Sequence, residues 1–194
     1  MDKYHHGNLR SALLKAAFHL AAKREGFTLR EVARRAGVSH NAPYRHFSGK
    51  EDLIAALATE SLRQLLAFLR AAIAQVPSPP DRLQAAAQAY LRFALKNPSR
   101  FNIMFHSTFD RQVYPDYVAA YTESLTLVSE LLQAHPNLQI DPATAGELIW
   151  ASVHGITDLG LSGRLENLEH LVDTSVQTLL SGAGCPSRES SRLF

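Results

Sequence analysis

Apolar residues recur at helical spacing along almost the whole chain, and strand-like alternation is nearly absent. Leu9, Leu13, Ala16, Ala17 and Leu20 form one stripe. Leu53, Ile54, Leu57, Leu62, Leu65, Leu66, Leu69, Ile73 and Val76 form a second, which predicts one long helix over 49–76. Pro77, Pro79 and Pro80 then remove backbone donors and fix φ, so the helix must stop there. Further apolar periodicity predicts helices near 80–96, 98–106, 114–135, 142–162 and 167–182.

Capping chemistry sharpens several of these starts. Thr28 with Glu31 and Ser48 with Glu51 fit the S/T-x-x-E box, in which each side chain satisfies an amide at the other end. Asn97-Pro98 and Asp141-Pro142 pair an N-cap residue with proline at the first helical position. The fold expected is all-α, and the last residues, 185–194, are expected to be disordered.

Between the first stripe and the long helix lies TLREVARRAGVSHNAPYRHF (28–47), which reads as two short helices around a tight turn. Leu29, Val32, Ala33 and Ala36 make the inner face of the first, with Arg30, Arg34 and Arg35 outward. Gly37 supplies a left-handed residue without a Cβ penalty, Val38 plugs the turn, and Ser39 caps the second helix. Helix, glycine turn and capped helix make the helix-turn-helix layout, whose second helix enters the DNA major groove. His40, Asn41, Tyr44, Arg45 and His46 supply donors and acceptors there. Asn pairs bidentately with adenine and Arg with guanine, and Ala42 suits a thymine methyl. Pro43 fits only near the first turn, which sets the start of this helix close to Ser39.

Charge now changes the picture. The chain of 194 residues carries a net charge of only +2, but residues 1–50 hold ten Lys/Arg against three acids and residues 51–194 hold ten against fifteen. A basic head on an acidic body suits a head that meets a polyanion. Apolar content of 46% excludes disorder as the dominant state. No apolar run is long enough for a membrane span, no signal-peptide core is visible, and the one cysteine, Cys185, excludes a disulfide framework. A cytoplasmic protein without membrane contact or cofactor is the expectation. No Gly-rich phosphate loop, nucleophile elbow or HExxH is present, so no enzyme is expected.

LLKAAFHLA, LREVARRAGVS, PYRHF and SGKEDLIAAL, from Leu9 to Leu57, together resemble the bacterial TetR-type one-component transcriptional regulators. The resemblance implies that Thr28, Tyr44, His46 and Lys50 hold DNA phosphates, while Arg30, His40, Asn41, Ala42 and Arg45 lie near base edges. Ser39 joins them as the start of the reading helix. The link AAKREGFTLRE is shorter than is usual in the family, which shortens the first helix or shifts Thr28. The N-terminal arm, Lys3, Tyr4, His5 and His6, either touches the backbone or is disordered.

The body resembles the same family through NPSRFNIMF (97–105) and through Trp150, His154 and Gly155, a Trp-His-Gly signature of one subgroup of C-terminal domains. The division implied is a three-helix DNA-binding domain, 1–48, joined through helix 49–76 to a ligand-binding and dimerisation bundle, 49–184. Small residues Gly146, Ala151, Ser152 and Gly155 permit close helix approach, so the helices near 142–162 and 167–182 are the expected homodimer interface. Phe93, Phe101, Met104, Phe105, Phe109, Tyr117, Tyr121, Trp150 and His154 suit an apolar pocket for a small hydrophobic or aromatic effector, with Tyr121 or His154 as polar anchor. The expected function is a repressor that holds a pseudo-palindromic operator as a homodimer and is released by effector. Two alternatives stay open: an activator or nucleoid-associated regulator without effector, and a helical enzyme or metal-binding protein using Glu147, His154 and Asp158.

Overall fold

The structure is a computed structural model that describes residues 6–22, 26–133, 135, 138 and 140–181. Among the described residues there is no strand. The helices are α1 (His6–Ala21), α2 (Leu29–Arg35), α3 (Lys50–Ala74), α4 (Pro79–Lys96), α5 (Pro98–His106), α6 (Pro115–Gln133), α7 (Pro142–Leu161) and α8 (Leu168–Ser181). Single turns of 3-10 helix lie at Pro43–Arg45 and Arg111–Val113. No described helix is long and apolar enough to cross a membrane. The expected tail with Cys185, the arm residues Lys3, Tyr4 and His5, and Lys23–Glu25 of the short link lie outside the described residues.

The helices follow the apolar periodicity closely, since burying one stripe supplies more stability than intrinsic propensity does. Leu13, Leu53, Leu57 and Leu62 are essentially inaccessible to solvent. Two hydroxyls buried within α3 are satisfied locally: Thr59 donates to the Ala55 carbonyl at 2.8 Å and Ser61 to that of Leu57 at 2.8 Å. Beyond the end of α3, the Arg82 guanidinium donates to the carbonyls of Val76 and Pro77, so a cation closes a run of free acceptors.

The caps partly depart from expectation. Thr28 and Glu31 form the complete box, with Glu31 N–H donating to Thr28 Oγ1 at 3.2 Å and Thr28 N–H to Glu31 Oε2 at 2.7 Å. At α3, Ser48 N–H donates to Asp52 at 2.9 Å, not to Glu51, whose carboxylate instead accepts the Asp110 amide at 3.3 Å. Asn97 precedes α5 without capping it through its side chain, whereas Asp141 accepts the Thr144 amide at 3.0 Å as expected.

The chain divides into two compact units that are not contiguous in sequence. Residues 1–67 with 96–124 form the first, and 68–95 with 125–194 form the second. The chain therefore passes from unit to unit inside α3 and α6 and at the last residue of α4. In the second unit α7 and α8 pack closely at Gly160, where a Cβ would collide with the Leu168 side chain. Gly163, at φ +72°, ends α7 in the left-handed region.

Candidate nucleic-acid interface

The segment 36–47 is built on a few buried residues. Val32 and Ala33 anchor α2, Gly37 turns the chain at φ +70°, and Pro43 and Phe47 are buried beyond the turn. The element expected to be a helix capped by Ser39 is shorter than that. Ala42 N–H donates to the Ser39 carbonyl at 3.0 Å, and then a single 3-10 turn runs from Pro43 to Arg45. The reason is Pro43. Ala42 is still helical, at φ −60° and ψ −40°, but Pro43 has no N–H to give the Ser39 carbonyl, so the α-helical ladder cannot begin there. No side chain caps the 3-10 turn, and Ser39 acts through its carbonyl.

This short element leaves the polar side chains outside. Thr28, Arg30, Ser39, His40, Asn41, Arg45 and Lys50 are exposed, and Ala42 and His46 are half-buried. Tyr44 is 54% exposed, so its ring as well as its hydroxyl reaches the surface. His46 leans against Phe47, with ring centroids 6.4 Å apart. Lys50 Nζ lies 5.3 Å from the centroid of the Phe27 ring, at the start of α3. Arg34 and Arg35 are exposed as well, so the face is cationic across α2, the turn and the first residue of α3.

Glu31 is a part of this face absent from the expected DNA-contact set. Its carboxyl is held below the usual range, chiefly by the Thr28 hydroxyl, then by the Thr28 amide, with Arg34 and Lys50 adding to the effect. The Thr28 hydroxyl donates to Glu31 Oε2 at 2.9 Å. Any phosphate that takes this proton must therefore compete with Glu31. The signal is present in the sequence as the capping box, which by itself predicts only the start of a helix.

The residues expected to line an effector pocket fall in both units. In the first, Phe101 and Phe105 have ring centroids 5.0 Å apart, Phe109 meets Tyr117 edge-on at 5.1 Å, and Tyr121 stacks on Tyr117 at 6.3 Å. The Tyr117 hydroxyl donates to the Met104 carbonyl at 3.3 Å, and burial pushes its pKa up. In the second, the Trp150 indole stacks on His154 at 5.3 Å, and His154 Nδ1 shares a 2.8 Å hydrogen bond with the Tyr90 hydroxyl. Phe93 packs near Phe68 at 5.8 Å. Phe93, Phe101, Met104 and Tyr117 are buried, while Phe105, Phe109, Tyr121, Trp150 and His154 keep some exposed surface. Tyr90 meets the Trp150 ring edge-on at 5.5 Å as well as bonding His154, and so ties together the Trp and His of the signature. Two cavities of the first unit, of about 670 and 260 Å³, are lined by other residues. Among the described residues no three metal-ligating side chains converge, so Glu147, His154 and Asp158 form no metal site.

Comparison with known proteins agrees with this arrangement. Residues 13–57 match the family described as bacterial regulatory proteins, tetR family, and residues 83–182 match the tetracyclin repressor-like C-terminal domain. A Rhodococcus sp. RHA1 protein of unknown function is 30% identical with a TM-score of 0.81, over 94% of this chain and 98% of that one. The TetR family transcriptional regulator PfmR from Thermus thermophilus shares the fold at 19% identity and a TM-score of 0.67, over 87% of this chain and 97% of its own. FadR from Bacillus subtilis, solved in complex with stearoyl-CoA, shares it at 15% identity and a TM-score of 0.73, over 89% and 98%. The exposed cationic turn thus stands on a chain that matches the family models over 13–57 and 83–182, and that chain belongs to the TetR family of transcriptional regulators.

Proposed function

We propose that the protein is a homodimeric repressor that reads a pseudo-palindromic operator and leaves it when a small hydrophobic effector binds. The observation that carries this reading is the cationic, outward-facing turn 39–46, flanked by Arg30 and Lys50. In it Lys50, Tyr44, His46 and Thr28 hold phosphates, and Arg30, His40, Asn41, Ala42 and Arg45 face bases, with Ser39 setting the turn. Lys50 sits in the first turn of α3, where free amides and the helix dipole add to its charge. Thr28 gives up its bond to Glu31 when it meets a phosphate.

One such turn spans too few base pairs for useful specificity, so two are needed. Leu148 and Leu159 on α7 are 44% and 38% exposed, and among the described residues nothing lies within 4 Å of where a Gly155 Cβ would stand. These residues, with α8, supply an apolar and closely approachable face for a second copy. The effector has an apolar part and is received among the aromatic side chains of the body; stearoyl-CoA bound to a protein of the same fold supports that class. Because the units share continuous helices, α3 carries the change from body to head, and operator DNA must weaken effector binding by the same factor as effector weakens DNA binding.

A gel-shift assay with DNA upstream of the protein's own gene and of its neighbours tests the reading. A sequence-specific shift that an apolar compound reverses is the expected outcome. No specific shift on any such fragment would overturn it.

A further inference from the structure

The larger of the two cavities named above, about 670 Å³, lies between α1, the middle of α3 and the N-terminal turn of α5. That volume is in the range of small-molecule sites, roughly 300–1,000 Å³, and far above the space a single water needs. Its lining is strongly one-signed: Arg10, Lys15, Lys96 and Arg100 face one carboxylate, Glu60. Glu60 already accepts a hydrogen bond from Gln64 at 2.8 Å, and among the described residues no ion pair joins it to any of these cations.

Arg100 is the unusual member. Its guanidinium carbon lies 3.9 Å from the centroid of the Phe18 ring, so one face is committed to stacking. Stacking leaves the in-plane N–H donors free for an acceptor at the edge. Nη1 is buried and has no hydrogen-bond partner among the described residues. A buried donor of a charged group left unpaired is costly, and an anion is the acceptor that relieves it best. Burial lowers the pKa of this guanidinium, and the Glu60 charge opposes that shift without outweighing it. The nine-residue helix α5 begins at this cavity and directs the positive end of its dipole to the same side.

We propose that this cavity binds a small polyanion, an organic phosphate or polycarboxylate, held by Arg100 and Lys96 on one side and by Arg10 and Lys15 of α1 on the other. The site shares no residue with the apolar effector set or with the DNA face, and it ties α1 of the head to α5 whenever it is filled.

Isothermal titration of the full chain with inorganic pyrophosphate and with citrate, at constant ionic strength, tests this. Saturable binding is expected for at least one probe, at one site per chain. Tighter binding of pyrophosphate assigns a phosphate ligand, and tighter binding of citrate a carboxylate. Arg100→Gln should weaken binding about tenfold or more, the effect of losing one charge-assisted hydrogen bond. Lys96→Gln, an exposed side chain outside the Phe18 stack, should weaken it about threefold and covers the case that Arg100→Gln folds poorly. Lys50→Ala, on the DNA face, should leave affinity unchanged. Absence of saturable binding by either probe, or binding lost in Lys50→Ala but kept in Lys96→Gln, would overturn the proposal; neither outcome depends on the operator.

Discussion

The turn 36–47 and the α7–α8 pair solve opposite problems. The turn stands on Val32, Ala33, Pro43 and Phe47 and presents nearly every polar side chain outward, with a single 3-10 turn where a longer helix would bury more. The α7–α8 pair is joined at close range, Gly160 against Leu168, over buried Ala145, Ile149, Val153, Val172 and Val176. One region is organised for presentation and the other for packing. The difference teaches where substitutions should strike: structure in the turn depends on few residues, and the proposed dimer is tested at the outer face of the pair.

The largest expected effect breaks the turn from beneath. Phe47→Ala removes a ring that is 2% exposed and should cost about 3–5 kcal/mol, measured by denaturant unfolding, with DNA binding lost through unfolding of the head. A loss below about 1 kcal/mol would show that the turn is held by something else. Next comes the helix pair. Gly160→Val should cost about 2 kcal/mol, because the new side chain must displace Leu168, and Leu168→Ala in the same chain should return part of that loss. A tolerated Gly160→Val would mean that the two helices separate at little cost.

On the outer face of the pair, a charge should act on assembly and not on folding. Leu148→Arg should leave helicity unchanged and shift sedimentation from dimer toward monomer, because the side chain is 44% exposed in the chain but covered in the proposed dimer. An unchanged species distribution would remove α7 from the interface. The smallest effect concerns Glu31. Its native pKa lies below its unfolded value, so its contribution to stability is complete above the unfolded value and lost as pH falls through the native one. Replacing it, Glu31→Gln, should flatten the acid limb of the head's pH–stability profile and weaken the α2 cap slightly. An acid limb identical to that of the parent would show the box to be silent.

Helix boundaries are largely legible in the sequence, because prolines, Thr28–Glu31 and Asp141 act within one turn of where they stand. Ser48 pairs with Asp52 and not Glu51 for a long-range reason. The Asp110 amide, far along the chain, donates to Glu51, and Asp52 accepts from Ser48 instead. The element after Gly37 is shorter than its polar residues suggest although the cause, Pro43, is in plain view; its burial and its missing amide decide the geometry. The polar set of the candidate DNA face is visible because it falls within one short stretch of sequence, Thr28 to Lys50. Arg100 over Phe18 and the Tyr90–His154 bond are not, since each joins residues distant in sequence whose pairing only the packed helices define. The compact units escape for the same reason, because contiguity in sequence does not reveal that 96–124 belongs with the head.

The central claim is that residues 39–50 form a DNA-reading surface divided between phosphate and base contacts. Operator affinity measured against salt and against base substitutions, for Lys50→Ala and Asn41→Ala side by side, tests it most directly. Lys50→Ala should weaken binding to every sequence and reduce the salt slope by about one, while Asn41→Ala should keep the slope and lose about 1–3 kcal/mol of discrimination at one base pair. Identical behaviour of the two variants, or no effect of either, would contradict the account.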